Sequence, residues 1–208
     1  MLLDIVQLLK QYNIKPDAVL QPGAHYGQEQ SIYDELGIPD DNRFYFEPQK
    51  RVFEVLKQNI GSRGHLYNIA LGNFNGESEM FIENNNESMS SSLLRSKIHS
   101  IQNPHIVFDQ EETVKVHRLD DIFPSNRLNH SWFINCDTQG YELEVFKGAV
   151  KLLPYAVAIL CEVNRDELYE GCARVEEIDQ FLSQFAFDRM TTNFAGHTWG
   201  DALYIKRC

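Results

Sequence analysis

No stretch of this 208-residue chain approaches the roughly 18 consecutive apolar residues that a membrane-spanning helix needs. The longest run, Ala156 to Cys161, is the size of a strand. The opening Met1-Leu2-Leu3-Asp4 has no basic region and carries an acid early, so no secretory leader and a cytoplasmic location are expected. Basic residues are few: 19 Lys and Arg stand against 30 Asp and Glu, a formal charge of −11. Such a chain lacks the basic face that a phosphate backbone requires, so neither a nucleic-acid nor a membrane partner is expected. None of the cysteines (Cys136, Cys161, Cys172 and Cys208) has C-x-x-C spacing, and they read as reduced thiols rather than a zinc or redox centre. The histidines show no H-E-x-x-H or other tight ligand spacing, so no metal site is expected, with an Mg²⁺ held by Asp120, Asp121 and Asp137 as the open alternative. The G-x-G-x-x-G turn of a pyrophosphate binder is also missing.

What the chain does have is an ordinary globular composition. With 43% hydrophobic residues it is too apolar for a disordered segment, and its length favours one domain over 1–208. Leu2 to Leu9 recur at helical spacing, giving an N-terminal helix within 1–15. Strands are expected at Asp17 to Leu20, Arg43 to Phe46 and His65 to Leu71. Helices fall between them, from Gln28 to Leu36 and on the face marked by Val52, Leu56 and Ile60. Residues 73–118 read as an excursion of antiparallel strands, Glu77 to Ile82 and Thr113 to Val116, with a mobile polar loop between. Alternation then resumes: a strand at Trp132 to Cys136, a helix through Leu143 to Leu153, a strand at Val157 to Val163 and a helix through Val175 to Phe185. Two antiparallel tail strands, Phe187 to Thr192 and Ala202 to Ile205, close the chain. Strand–helix alternation of this kind builds a doubly wound, mostly parallel sheet.

In such sheets ligands lie beyond the carboxyl ends of the strands. Gly23 to Gly27 follows the first strand and lets backbone approach a ligand closely. Glu47 ends the second strand, about twenty residues on, where a carboxylate can accept both hydroxyls of a ribose. Asn68 to Gly72 ends the third strand and Asp137 to Gly140 the fourth. The order suits a nucleoside ligand without a diphosphate.

These segments resemble the FkbM family of S-adenosylmethionine-dependent methyltransferases, over about Asp17 to Lys206. Asp137-Thr138-Gln139-Gly140-Tyr141-Glu142 is similar to the family's Asp-x-Gln-Gly-x-Glu signature. Gly23-Ala24-His25-Tyr26-Gly27-Gln28 is similar to its Gly-Ala-x-x-Gly-Gln turn, and Phe46-Glu47-Pro48 to its ribose-binding strand end. Asn68-Ile69-Ala70-Leu71-Gly72, Ser90-Ser91-Ser92-Leu93, Leu168-Tyr169-Glu170-Gly171 and Gly200-Asp201-Ala202-Leu203-Tyr204 also resemble family stretches. The family often has Asp at the end of the first strand; here it is Gln21, which brings no charge to a cofactor ammonium.

The resemblance implies a Rossmann-like fold with an antiparallel C-terminal strand and a strand and loop insertion after the third strand. It implies methyl transfer from S-adenosylmethionine to a hydroxyl, of a sugar or glycan above all. Cofactor contacts are then expected from Gln21, Gly23, His25, Gly27, Glu47, Asn68, Ala70 and Asp137, and acceptor contacts from Ser91, Ser92 and Gln139. Asp137 is the first candidate base or ammonium anchor, with Glu162 and His117 behind it. The competing readings are a nicotinamide-dependent oxidoreductase and a binding module that has lost the reaction. The loops at 84–110 and 193–201 would set acceptor choice, and the sequence fixes no oligomeric state.

Overall fold

The computed structural model describes residues 2–123 and 128–207. Cys208, one of the expected reduced thiols, lies outside the described residues; Cys136, Cys161 and Cys172 are free and buried. Helix α1 (Ile5–Gln11) starts where the Asp4 carboxylate accepts the Gln7 N–H at 3.0 Å, and it buries Ile5, Val6 and Leu9. Next come β1 (Ala18–Pro22), α2 (Gln30–Glu35), β2 (Arg43–Phe46), α3 (Lys50–Ile60) and β3 (His65–Tyr67). The insertion holds β4 (Ala70–Leu71), β5 (Gly76–Glu83), α4 (Ile98–Gln102) and β6 (Phe108–His117), and α5 (Leu119–Ile122) follows it. The second half is β7 (Trp132–Cys136), α6 (Glu142–Lys147), β8 (Ala156–Asn164), α7 (Val175–Ser183), β9 (Phe187–Ala195) and β10 (Trp199–Lys206).

The main sheet has seven strands in the order β3-β2-β1-β7-β8-β10-β9. From β1 the chain winds outward through β2 and β3, then returns to place β7 on the other side of β1, all in parallel. This reversal is the switch point, and it opens a crevice at the carboxyl ends of β1 and β7. Strand β10 runs antiparallel between β8 and β9. β1, β2 and β7 are buried along their whole lengths, as expected of parallel strands covered on both faces. One face packs against α6 and α7 through Phe146, Val175, Ile178 and Leu182. The other packs against the first three helices, where Val52, Leu56 and Ile60 of α3 are buried at intervals of four.

The structure departs from the sequence expectations in several places. The segment His65 to Leu71 is two strands, β3 in the main sheet and β4 in a second sheet of order β4-β6-β5. It breaks at Asn68, whose side-chain amide donates to the Glu47 and Pro48 carbonyls, both at 2.9 Å. Helix α6 stops at Lys147 rather than running to Leu153: the Gly148 amide still reaches the Glu144 and Val145 carbonyls, and the chain then continues in single turns, the Ala149 amide on Phe146 and the Leu152 amide on Ala149. The polar stretch after β5 folds back upon it, Phe81 and Ser92 exchanging backbone hydrogen bonds of 2.8 and 3.1 Å. Helices α4 and α5 are elements the sequence pattern did not suggest, and the tail strands run on to Ala195 and start again at Trp199, so most of the expected 193–201 loop is strand.

Candidate active site

A cavity of about 590 Å³ lies at the carboxyl ends of β1, β2, β7 and β8. The sheet supplies one wall and insertion residues between Asn86 and Ile106 supply the other. Its size is within the range of ligand sites.

The floor forms because three strand ends are tied together. The Gly23 and Ala24 amides donate to the Phe46 carbonyl at 2.9 and 3.0 Å, and the Asp137 amide donates to the Pro22 carbonyl at 3.1 Å. Gly23 has φ +72°, and a Cβ there would sit 1.7 Å from the Asp137 carbonyl oxygen, so only glycine lets the first turn approach β7 this closely. At the end of β2 the Glu47 carboxylate is pinned by two backbone donors, His25 N–H at 3.0 Å and Gln49 N–H at 2.9 Å. Each oxygen keeps a lone pair for a further donor. His25 also clasps the insertion to the floor: Gln28 donates to its Nδ1 at 2.8 Å, and its Nε2 donates to the Glu87 carbonyl at 2.8 Å.

The turn after β7 is organised by two side chains. Glu142 Oε1 accepts from the Thr138 amide at 2.8 Å, the Thr138 hydroxyl at 3.1 Å and the Gly140 amide at 3.2 Å. Gln139 is a hub. Its amide nitrogen donates to Asp137 at 2.7 Å and to Glu162 at 3.2 Å. Its side-chain oxygen lies 2.8 Å from the Tyr169 hydroxyl, and its backbone carbonyl accepts from Ser92 at 2.7 Å. One residue thereby fixes two carboxylates and anchors the insertion.

Electrostatically the cavity is one-sided. Glu29, Glu47, Asp137, Glu162 and Asp201 line it, and no Lys or Arg does among the described residues. Glu162 and Asp201 are directly opposite each other on β8 and β10, where like charges repel. Burial raises Glu162 well above the usual carboxylate range, and the charges of Asp137, Glu142 and Asp201 add to it. Burial pushes Glu47 up to about 7 against the pull of the Gln49 and His25 amides. Glu142 is pushed to about 7 by burial, with the Asp137 charge adding. Asp137 is raised by its enclosure, with the Gln139 amide opposing and the Asp201 and Glu29 charges adding.

Of the residues expected from sequence, Gln21, Gly23, His25, Glu47, Ala70, Ser91, Ser92, Asp137, Gln139 and Glu162 line the cavity. Three do not. His117 ends β6, half-buried and paired with Leu71 of the second sheet. Asn68 spends its amide on the β2 end. Gly27 packs under the turn, where a Cβ would come within 2.8 Å of Ile60. Asp120 and Asp121, weighed as Mg²⁺ ligands with Asp137, pair instead with Arg118 at 3.4 and 3.7 Å and do not line the cavity. Ser92 uses its hydroxyl on the Gln139 carbonyl and the Leu94 amide, whereas Ser91 accepts only the Glu83 amide. Arg165, three residues beyond Glu162, lies over the Phe194 ring, 3.5 Å from the centroid. Sequence reasoning missed Glu29, Asp201 and His99 as lining residues, and the bracing part of Glu142. Glu142 carried a signal as the last residue of the Asp-x-Gln-Gly-x-Glu motif, and Asp201 lay in the family-like stretch Gly200 to Tyr204; Glu29 and His99 carried none.

A family model described as the methyltransferase FkbM domain matches residues 21–189. The 2-O-methyltransferase NoeI of Sinorhizobium fredii (strain NBRC 101917 / NGR234) is 29% identical over 207 residues, covering 96% of this chain and 82% of that protein. Among solved structures, magnesium protoporphyrin IX methyltransferase (ChlM) from Synechocystis PCC 6803 with bound SAM aligns at TM-score 0.52 and 9% identity, over 98% of this chain and 77% of that one. A protein of the NADB-Rossmann superfamily from Streptococcus agalactiae aligns at TM-score 0.53 and 9% identity, over 99% of this chain and 69% of that one. At such identities the two structures share the fold.

Proposed function

This chain belongs to the FkbM methyltransferase family, and from that premise we infer that it methylates a hydroxyl oxygen of a sugar or glycan, with S-adenosylmethionine as donor. The whole chain serves as one methyltransferase domain in the cytoplasm, without nucleic-acid or membrane partners. No helix among the described residues is long and apolar enough to cross a membrane.

The observation that carries this reading is the charge of the cavity. Five acidic side chains, with no Lys or Arg among the described residues, suit a cofactor with a sulfonium and an ammonium. The same wall repels a diphosphate, which weighs against a nicotinamide dinucleotide and against a phosphorylated acceptor. The volume accommodates a nucleoside with an amino-acid arm and a sugar beside it. The oxygen specificity is supported by the 2-O-methyltransferase relative.

When bound, the cofactor supplies an electrophilic methyl group, whose bond to sulfur breaks as the bond to the acceptor oxygen forms. The protein does the rest. Glu47, held by two backbone amides, accepts the ribose hydroxyls. Asp137 receives the proton that the acceptor hydroxyl loses, and its raised pKa makes it a stronger base than a solvent carboxylate. Gln139 orients Asp137 and Glu162 together, and proton uptake by Glu162 relieves the repulsion between them. Ser91 offers its hydroxyl proton to the acceptor. Fixing acceptor, methyl and base in one enclosed site supplies much of the rate.

The test is transfer of labelled methyl from S-adenosylmethionine to a panel of unphosphorylated oligosaccharides and non-carbohydrate alcohols. A methyl ether on a sugar is expected. Methylation confined to non-carbohydrate alcohols would overturn the sugar reading, and methylation on nitrogen would overturn the oxygen reading.

A further inference from the structure

Strand β1 ends in Gln21-Pro22, so it brings an amide and no carboxylate to the cavity. The surroundings of Gln21 leave it one orientation. It is 4% exposed, and its side-chain oxygen accepts the Tyr33 hydroxyl at 2.8 Å. The Tyr33 oxygen in turn accepts from the Asn135 amide at 2.9 Å. With the carbonyl side committed, the Gln21 amide nitrogen faces Glu29 and donates to its Oε2 at 2.7 Å. Glu29 stands at the entrance to α2 and lines the cavity, and its charge reaches Asp137. Its second oxygen, Oε1, has no hydrogen bond, and no Lys, Arg or His pairs with it among the described residues.

We propose that Glu29, positioned by Gln21, receives the α-ammonium of the cofactor's amino-acid arm. The carboxylate absent from the end of β1 is thus supplied from the start of α2. An ammonium brings three donors and a full positive charge, which the open Oε1 can accept in a charge-assisted hydrogen bond. Gln21 is then a positioning residue: its amide holds the carboxylate, and Tyr33 and Asn135 hold the amide. The assignment also divides the labour between two neighbouring carboxylates. With Glu29 on the ammonium, Asp137 is free to receive the acceptor's proton. The proposal rests on the cofactor reading above.

The experiment compares two ligands by calorimetry. S-adenosylhomocysteine carries the amino-acid arm; 5′-methylthioadenosine has the same nucleoside and thioether without it. Glu29→Gln is expected to weaken S-adenosylhomocysteine by about tenfold or more while leaving 5′-methylthioadenosine within about twofold. The double variant E29Q/Q21D, which returns a carboxylate to β1, is expected to regain most of the lost S-adenosylhomocysteine affinity. Retained 5′-methylthioadenosine binding also shows that the variant is folded. Unchanged S-adenosylhomocysteine affinity in Glu29→Gln overturns the proposal alone, as does an equal loss of both ligands. Failure of the parent protein to bind either ligand overturns the cofactor reading itself.

Discussion

Glu47→Gln separates two effects of one buried carboxylate that have opposite pH dependence. Glu47 is 6% exposed, and burial sets its folded pKa at about 7 against an ordinary 4.5. Below pH 4.5 it is protonated in both folded and unfolded chains and costs nothing. As pH rises through the window from 4.5 to 7, the unfolded chain releases the proton first, so stability falls; above 7 the loss is complete. The difference corresponds to about 3 kcal/mol. Glu142 and Glu162 titrate in the same direction, so the parent should be most stable in mild acid. Glu47→Gln removes one share of this slope. It also turns an NH₂ toward one of the two backbone donors, from His25 or Gln49, adding a pH-independent cost of about 1–3 kcal/mol. Cofactor binding changes the other way with pH. The ionised carboxylate is the better acceptor of ribose hydroxyls, so parent affinity should strengthen as pH rises through 7, and the variant should be weaker by about tenfold with a flat profile. Urea melts at several pH values between 4.5 and 8, with calorimetric titration of S-adenosylhomocysteine across the same range, read both effects. Equal pH slopes of stability in parent and variant would refute the burial argument. Undiminished affinity at pH 8 would refute the ribose contact.

Asp137→Asn keeps the shape and the oxygen that Gln139 holds but removes charge and basicity. Turnover should fall by about a hundredfold or more while S-adenosylhomocysteine affinity stays within about threefold; a parallel loss of affinity, measured by calorimetry beside initial rates, would make Asp137 a binding residue. Glu142→Ala strips the acceptor from Thr138 and Gly140 in a buried turn, so stability in urea should fall by about 2–4 kcal/mol, and turnover should fall with it as Asp137 and Gln139 lose their placement. A variant with parental urea midpoint would show that the turn holds itself.

The parts of the fold legible in sequence are those whose periodicity is local. Arg43–Phe46 and Trp132–Cys136 are short apolar runs between breakers, and they form strands with those bounds. His65 to Leu71 read as one strand because nothing local reveals that Asn68 is captured by carbonyls at the end of β2. Helix α4 was missed because its five residues bury little besides His99, and that burial depends on the distant Tyr169 and Phe108 rings. The site divides in the same way. Gly23, Glu47 and Asp137 were found because strand ends can be located from sequence and the topology brings them together. Glu29 and Asp201 enter from a helix start and an antiparallel strand, whose approach to the cavity only the folded sheet reveals. His117 failed for the converse reason: it ends a strand, but that strand belongs to the second sheet.

The central claim is that the acidic crevice at the switch point is a pocket for a cationic nucleoside cofactor. Its most direct measurement is side-by-side calorimetric titration of the parent protein with S-adenosylmethionine and NAD. S-adenosylmethionine should bind at one site per chain and raise the melting temperature, with about 2.7 kcal/mol of added stability at a hundredfold excess over its dissociation constant. NAD should leave both heat and melting temperature unchanged. Binding of NAD with no response to S-adenosylmethionine at millimolar concentration would contradict the account.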